Sequence, residues 1–470
     1  MEDKKVTTLT NVLQVCRDAL RLDLYDLSYM FNADNFRFTL LGAAALPRAG
    51  VLLRIGVFLL RWLQSLGQLQ QIRHWSMVKN HPILFFAASQ NQQKALESIV
   101  KATLNARFVG IKGFGDETFP MVIAYTISLL FFPHILWQYL KSVGDTRQSY
   151  RYFFDLYWLS CGYYMMARWV FRRVQPQGIV LANDHVMWTR ALMVAARDEQ
   201  VVSIYVQHAS VTERFPPLSF DYALLEGVDA LEKYNAAGQS DTAVFLIGIA
   251  NFDGYATAVN RNPRVSAVGI CTNLFETFAQ VEQLGAHLQT RLPTLSFTLR
   301  SHPGDPRIAQ WRALAYRLGW TFSDARAENI FVFLRHVDAL IAGDSNVHLE
   351  AVLLNVVPLY YDFTAKKMDW YGFYRNGLVE YYNDPETLGE ALQALHIYKQ
   401  EVRYRARRYC ATLNTMYDGR STELAVSLIQ TVTTTPRHCL DLTNWEPVAA
   451  VNGLHAYQLS CSDSDRQVVS

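Results

Sequence analysis

The sequence predicts an α/β protein of two doubly wound domains that face a cleft. Short apolar runs that end in small or polar residues alternate with helical stretches along most of the chain. Buried strands that alternate with helices are typical of parallel sheets joined by right-handed crossovers. The length of 470 residues also exceeds what one hydrophobic core usually supports. Two domains of about 200 residues each are therefore expected.

The first half of the chain contains four apolar runs that we predict as strands. These runs are residues 81–89, 178–184, 201–207 and 220–226. Helical patterns at 93–104 and 189–197 follow the first two runs, and a helix ending near Tyr234 follows the fourth. Pro216 and Pro217 mark a loop after the third run.

The alternation restarts in the second half of the chain. The predicted strands there are residues 242–249, 264–271, 295–300, 339–343 and 356–360. We place the domain boundary in the small, polar stretch 235–240. The predicted organisation is a helical and possibly membrane-proximal segment at 1–75, a first Rossmann-type domain at 76–238, a second at 239–431, and a C-terminal extension with a disordered tail at 432–470.

Composition limits the classes of partner and site. A net charge of +2 gives no global field that would attract nucleic acid. The six cysteines are scattered without a CxxC pair, which argues against a zinc site and a disulfide framework and favours a reducing cytosol. The first residues lack the apolar core of a signal peptide. The only plausible metal-binding D-x-D, Asp463 to Asp465, lies in the tail and not at a strand end, so metal-dependent chemistry is disfavoured.

Two apolar stretches raise the question of membrane contact. Residues 38–63 are interrupted by arginines, and residues 121–140 are uncharged but broken by Pro133. About 20 apolar residues is the length of a spanning helix. A buried or interfacial helix is the preferred interpretation, with Arg168, Arg172 and Arg173 facing anionic headgroups. Ordinary core helices with snorkelling arginines remain an equal alternative.

In the predicted second domain, candidate residues follow two strands. Arg300 and His302 end one strand, where they would bind and neutralise a phosphate. Asp344 and Ser345 open a helix directly after another strand, where free backbone N–H groups attract anions, and Glu350 lies near the same mouth. The alternatives are a simple turn at His302 and a simple helix cap at residues 344–345.

In the predicted first domain, two neighbouring strands end in polar residues. Gln207 and His208 follow one strand, and Asp184 and His185 follow the other. Polar side chains at the carboxyl ends of parallel strands face the crevice, where a histidine or aspartate could deprotonate an acceptor hydroxyl. A purely structural polar network is the alternative. Asn91, after the first strand, is a candidate acceptor contact in a stretch that also contains the helix cap.

Four stretches carry a resemblance to a known family. They are residues 83–92, residues 206–217 with 220–222, residues 300–303, and residues 343–345 with 349–351. On these motifs the chain resembles bacterial GT-B glycosyltransferases of capsule and surface polysaccharide synthesis. That set includes polysialyltransferase-like and CDP-glycerol glycerophosphotransferase-like enzymes. The stretches span roughly residues 80–375, and their order and placement at strand ends make the likeness moderately specific.

The resemblance implies a role for several residues. His302 would hold the donor's phosphate or nucleotide, Ser345 would contact phosphate, and His208 would activate the acceptor. Two departures concern the donor type: Ala209 stands where relatives commonly have glycine, and Asn346 where they often have a second serine. Sialyltransferase-like members usually draw their base from an acidic residue, which keeps Asp184 as an alternative to His208.

The expected function is metal-independent transfer of a sugar, or of a sugar or polyol phosphate, from a nucleotide-activated donor. The acceptor would be a surface glycan or lipid-linked glycan, no cofactor is expected, and a CMP or CDP donor is favoured. The expected location is the cytoplasm, with peripheral contact to the inner membrane or to polysaccharide export machinery. Two alternatives remain: a nucleotide-sugar 2-epimerase of the same fold, and a non-catalytic capsule or export assembly protein.

Overall fold

The structure is a computed structural model that describes residues 2–41, 48–78, 80–111 and 113–460. The predicted disordered tail and the Asp463 to Asp465 motif lie outside these residues. Two sheets form the two domains, and each has helices on both faces. The predicted α/β class with two doubly wound domains is therefore confirmed.

The strands of the described chain are β1 (Ile83–Ala87), β2 (Ala106–Gly110), β3 (Glu117–Thr118), β4 (Gly178–Leu181), β5 (Val202–Val206), β6 (Tyr222–Leu225), β7 (Ala243–Leu246), β8 (Ala267–Thr272), β9 (Ser296–Ser301), β10 (Thr321–Ser323), β11 (Ala339–Ala342), β12 (Val357–Tyr361), β13 (Glu380–Tyr382), β14 (Trp445–Val448) and β15 (His455–Leu459).

The α-helices are α1 (Glu2–Leu20), α2 (Leu24–Leu27), α3 (Ala33–Leu41), α4 (Val51–Ser65), α5 (Leu69–Met77), α6 (Gln90–Ala102), α7 (Met121–Leu130), α8 (Phe132–Lys141), α9 (Gly144–Val174), α10 (Met187–Asp198), α11 (Val228–Ala237), α12 (Phe278–Arg291), α13 (Ile308–Arg317), α14 (Ile330–Leu334), α15 (Val347–Leu353), α16 (Pro385–Ile397) and α17 (Ser421–Thr434). Short 3₁₀ helices lie at Tyr29–Phe31, Leu66–Gln68, Ala250–Tyr255, Arg403–Arg408 and Arg437–Cys439.

The first sheet has nine strands in the order β14-β15-β7-β6-β5-β4-β1-β2-β3. All neighbours are parallel except β14 and β15. The strand order reverses between β1 and β4, which pair directly. A crevice at the carboxyl ends of these two strands is where doubly wound folds bind ligands.

The second sheet has six parallel strands in the order β10-β9-β8-β11-β12-β13. This order reverses between β8 and β11, so the second domain also has a switch point. Capping residues in the sequence mark the starts of two helices of this domain. Thr277 and Gln280 form a capping box at the start of α12, and the Asp384 side chain caps α16 ahead of Pro385.

The predicted domain limits are wrong at two places. The strand expected to open the second domain, within 242–249, is β7, which pairs with β6 and belongs to the first sheet. The extension at 432–470 was expected to lose the strand pattern, but β15 pairs with β7 and β14 pairs with β15. A short apolar strand has the same sequence appearance in either sheet, so only its hydrogen-bonded neighbour assigns it to a domain.

The segment at 1–75 is helical in its described part, as predicted, and it packs on one face of the first sheet. The buried core there combines this segment with α7 and the long α9, which is kinked at Phe153. The opposite face of the sheet carries α6 and α17, whose Leu96 and Ile429 are buried with β-strand residues such as Phe85. Side chains alternate between the two faces along each strand.

Of the three arginines expected to face lipid, Arg168 is buried, whereas Arg172 and Arg173 are exposed. Arg168 is buried and forms ion pairs with Asp18 and Glu199, and Arg172 also pairs with Glu199. No single helix of the described residues has both the length and the apolar composition to cross a bilayer. Taken together, α7 and α8 meet both criteria, but they are bent by 63° at the break between them.

Candidate functional site

The loop after β4 is held by a side chain that caps the next turn. The Asn183 Oδ1 atom accepts the backbone N–H groups of His185 and Val186, both at 3.0 Å. Beyond this turn, α10 begins at Met187. An asparagine that accepts its own downstream backbone donors fixes a turn. The turn thereby places Asp184 and His185 at the switch point of the first domain.

Both carboxylate oxygens of Asp184 have partners. The His185 Nδ1 atom donates to one at 2.7 Å, and the Tyr234 hydroxyl donates to the other at 2.5 Å. Asp184 is buried, and His185 packs against the Phe215 ring at 4.6 Å. An aspartate that orients a histidine and accepts a hydrogen bond from a buried phenol is held in one position. Each of its two oxygens already accepts a hydrogen bond from the protein.

His208 follows β5, next to this group. Its Nδ1 atom is buried and has no hydrogen-bond partner among the described residues. Burial lowers the pKa of His208 to about 4, and the His185 ring adds to this effect, whereas Asp184 and a hydrogen bond to the backbone of Ala182 oppose it. The ring is therefore neutral near pH 7 and presents an unused nitrogen.

A carboxyl pair spans the cleft near His208. The Gln207 side chain donates to Glu226 at 3.0 Å and accepts the Glu226 backbone N–H at 2.9 Å. Burial, and then the charge of Glu350, raise the pKa of Glu226 to about 8. Burial also raises the pKa of Glu350 to about 7, and Arg300 opposes this increase. Burial therefore favours the uncharged form of both carboxyl groups, one from each domain.

Glu226 is absent from the sequence-based candidates. It directly follows β6, at the same edge of the sheet as His208, so the rule about polar residues at strand ends covers it as well. Glu350, by contrast, was a candidate. Its proximity to Glu226 depends on how the two domains are placed, which the sequence does not give.

Arg300 lies at the end of β9 and is already engaged. Its guanidinium donates to Ser323 Oγ at 2.5 Å and to the Glu328 carbonyl at 2.7 Å, and it lies 5.2 Å from the centre of the Phe333 ring. Arg300 is buried, and its charge reaches Glu350. The Arg300 guanidinium is therefore bound to residues of its own domain.

His302 is exposed at the tip of the turn after β9. Its Nδ1 atom accepts the Gly304 backbone N–H at 3.0 Å. In that arrangement the proton of the neutral ring is on Nε2, which makes this atom a donor. The turn itself is fixed by Asp305, which binds Arg307 and the Trp311 indole.

The loop between β11 and α15 differs from the predicted cap. Asn346 is the N-cap residue of α15, and its side chain makes no capping hydrogen bond. Ser345 Oγ accepts the Val347 N–H at 3.5 Å, a long contact. Asp344 instead accepts the Trp370 N–H at 2.8 Å, and burial raises the pKa of Asp344 to about 6. His348 is buried and donates to the Gly343 carbonyl at 2.9 Å.

The loop that follows β5 meets the loops that follow β11 and β12 across the cleft. Ser210 Oγ donates to Asn346 Oδ1 at 2.6 Å, and Glu213 pairs with Arg375 at 2.8 Å. The Arg214 guanidinium lies 5.7 Å from the centre of the Trp370 ring. These loops line a cavity of about 380 Å³ that is formed by both domains. Its lining residues are Thr212, Glu213, Arg214, Asp369, Trp370 and Arg375.

The structure therefore brings together most of the candidates. His208, Asp184, His185 and Gln207 form one wall, and Glu350, Asp344 and Ser345 come from the other domain. Asn91 is separate: it is exposed in the first turn of α6, after Ser89, whose side chain accepts the Gln92 N–H as predicted for a cap. The described residues contain no group of three or more His, Cys, Asp or Glu side chains arranged to hold a metal ion.

No protein family model matches the sequence, and no curated protein matches it. Among solved structures, the chain is similar to a protein from Listeria monocytogenes described as a UDP-N-acetylglucosamine 2-epimerase. The two are 13% identical with a TM-score of 0.50, over 75% of this chain and 96% of that one. The UDP-GlcNAc 2-epimerase of Neisseria meningitidis, solved with UDP-GlcNAc, is 12% identical with a TM-score of 0.49, over 75% of this chain and 100% of that one. The wall teichoic acid polymerase TagF is 12% identical with a TM-score of 0.45, over 80% and 97%.

At 12–13% identity, similarity to these structures indicates a shared fold and does not identify the reaction that this chain catalyses. The likeness to the Listeria protein covers most of both chains, and the two sheets of this chain are each doubly wound. The chain has a GT-B-like fold of two Rossmann-like domains.

Proposed function

We propose that the protein is a glycosyltransferase that moves a sugar, or a sugar or polyol phosphate, from a nucleotide-activated donor to a glycan or glycolipid acceptor. The observation that carries the proposal is His208, a neutral histidine with a free, buried nitrogen in the wall of the cleft. A general base must be unprotonated and must have an open lone pair, and His208 meets both conditions. Asp184 has neither oxygen open, which favours His208 over Asp184 as the base.

In the proposed reaction His208 Nδ1 takes the proton of an acceptor hydroxyl. The hydroxyl oxygen forms a bond to the activated carbon of the donor, or to phosphorus for a CDP-alditol. The bond from that atom to the nucleotide's phosphate oxygen breaks, and the nucleotide leaves with the electron pair. The His302 Nε2–H donor and the loop at Ser345 meet the negative charge of the leaving phosphate, without a metal ion.

The raised pKa values of the carboxyl pair support binding of an anionic donor. Two ionised carboxylates at Glu226 and Glu350 would repel the donor's phosphates, but their raised pKa values keep much of this charge out of the cleft near neutral pH. The donor class, CMP or CDP, and the absence of a required metal remain parts of the proposal. The acceptor is placed on the first-domain side of the cleft.

The first test is a thermal-shift screen against CMP, CDP, UDP, GDP and ADP, with EDTA present. A nucleotide at a hundredfold excess over its Kd adds about 2.7 kcal/mol to the free energy of unfolding, so its binding raises the melting temperature. We expect a shift with CMP or CDP that His302→Ala removes. The control is His287→Ala, which changes a histidine on α12 that lies near Glu386.

The second test separates binding from chemistry. His208→Asn should keep the nucleotide-induced shift but lower transfer about 10²–10⁴-fold, because it removes only the base. If the enzyme instead inverts the configuration at C2 of the donor sugar when no acceptor is present, the protein is a nucleotide-sugar 2-epimerase. No shift with any of the five nucleotides, in a protein shown to be folded, would favour the non-catalytic assembly role.

A further inference from the structure

The helix α4 turns its two arginines inward, beside the buried Phe58, and leaves its leucines exposed. Arg54 is 8% exposed and binds Asp155 of α9 at 2.7 Å, and Arg61 binds the same carboxylate at 3.1 Å. The outward face carries the leucines at 52, 53, 59, 60 and 63, all exposed, and continues to Leu66. Leu52 is 85% exposed and Leu60 is 56% exposed.

This arrangement is the reverse of an ordinary surface helix. A helix on a protein surface normally turns its apolar stripe toward the core and its charged residues toward water. From Val51 to Leu66 no exposed position of this helix carries a charged side chain. A contiguous exposed apolar surface of this kind indicates a binding face.

Neighbouring elements extend the apolar face and add positive charge at its margin. On α8, Trp137 and Leu140 are exposed, and the Lys141 ammonium lies 4.2 Å from the centre of the Trp137 ring. A groove of about 720 Å³ runs between the start of α4 and the start of α9, and the exposed Arg147 and Arg151 line it. Neither arginine forms an ion pair with a carboxylate of the described residues.

We propose that this face, which we call the α4 face and define as the outward side of α4 with Trp137, Leu140, Arg147 and Arg151, binds the surface of a bilayer that contains anionic phospholipid. The leucines enter the acyl boundary, and Trp137 and Lys141 lie at the headgroup level. The two exposed arginines at the groove match a lipid phosphate. The α4 face is independent of the transfer reaction proposed above and goes beyond it.

The combination of features selects a bilayer over another protein. A protein partner would need polar groups matched to its own, but the outward side of α4 consists mainly of leucines, with Gly56 and a single amide, Gln64, among its described exposed residues. A bilayer needs an apolar face with a cationic, aromatic margin, and both are present. The neighbouring α7 and α8 do not supply a single straight span, so the inference is peripheral contact.

The test is flotation of the full chain with vesicles of phosphatidylcholine, with and without phosphatidylglycerol. We expect binding to vesicles that contain phosphatidylglycerol, and a loss of about tenfold or more in the triple variant Leu52→Gln, Leu60→Gln, Leu63→Gln. The double variant Arg147→Gln, Arg151→Gln should lose about fivefold for each arginine on these vesicles. All three leucines are exposed, so the triple variant should keep the wild-type melting temperature.

The matched control is Leu104→Gln, Ile397→Gln, Met416→Gln, which changes three exposed apolar residues away from the α4 face. This control should bind vesicles like the wild type. Failure of the wild-type chain to bind, or an equal loss in the control, would overturn the proposal. So would a wild-type dimer that the leucine variant converts to a monomer, since a second copy would then cover the face. The nucleotide-induced thermal shift of the same variants reports separately on the proposed transfer function.

Discussion

Single buried residues decide the charge of the cleft. Burial lowers the pKa of His208 to about 4 and raises that of Glu226 to about 8. Both changes favour the uncharged form, because desolvation penalises a charge of either sign. Near pH 7 a neutral base and a largely neutral acid therefore lie at neighbouring strand ends. Such perturbed groups in a cleft are typical of functional sites, although structural networks perturb pKa values too.

The raised pKa of Glu226 predicts a pH-dependent stability. An unfolded glutamate has lost its proton by pH 6, whereas folded Glu226 retains it until about pH 8. The folded state therefore binds more protons in this interval, and the free energy of unfolding falls as the pH rises. Glu226→Gln removes this contribution, so its stability should decline by about 1–2 kcal/mol less than that of the wild type between pH 6 and pH 8.

Urea unfolding at pH 6 and pH 8 measures this difference. Glu97→Gln is the control, because Glu97 is exposed on α6 and pairs only with Lys101 in the described structure. An identical pH slope for Glu226→Gln and wild type would show that Glu226 is ionised across the whole interval.

The sequence predicted which residues lie at the site, but it did not predict which other residues they contact. His208 and Asp184 were found because polar residues at parallel strand ends share one edge of a sheet. That Asp184 has no free oxygen depends on Tyr234, which lies 50 positions away in the chain. Glu226 was missed although it directly follows β6, and its raised pKa comes from burial and then from Glu350 of the other domain, neither of which local sequence patterns give.

At the scale of elements, α4 shows what a local sequence pattern leaves open. The apolar stretch at 38–63 contains arginines, and in the structure residues 51–65 form the helix α4. Arg54 and Arg61 lie seven positions apart and therefore share one face. Arginines on a surface helix are usually expected to face solvent. Here both point into the protein, where they form ion pairs with Asp155 of α9. Acidic partners likewise bind Arg168 and Arg172, and contact of this region with lipid stays a prediction.

The buried pair predicts a measurable cost for a single change on α4. Arg54→Ala should lower the free energy of unfolding by about 2–4 kcal/mol, because it leaves the buried Asp155 with only Arg61. Arg73→Ala on α5 is the control, since Arg73 is exposed and should cost little. Chemical unfolding of both variants provides the comparison. A loss for Arg54→Ala no larger than that of Arg73→Ala would contradict the role assigned to this pair.

At the scale of the whole molecule, the two domains are interleaved in sequence. The chain leaves the first sheet after β7, builds the second sheet, and returns as α17, β14 and β15. Phe245 of β7 contacts Trp445 and Tyr457 of the returning strands. The alternation of strands and helices gave the fold class, but not this return, because strand pairing over some 200 residues leaves no local signature.

This return predicts the effect of a truncation. Removal of all residues after Pro436 exposes the edge of β7 and deletes the aromatic contacts of Phe245. The melting temperature should fall by at least about 5 °C, and aggregation should increase. Truncation after Ser460 keeps every described strand and should leave the melting temperature unchanged. Equal behaviour of the two truncations would show that β14 and β15 add nothing to the first domain.

The position of β15 also has a consequence for how the protein is made. A ribosome delivers β7 roughly 200 residues before β15, an interval of about 10–40 s at ordinary rates of translation. During that interval β7 offers an open edge to any other nascent chain. The second domain can meanwhile complete all six of its strands. The first sheet, whose β7 is made before the second domain, is thus completed only after that domain has all of its strands.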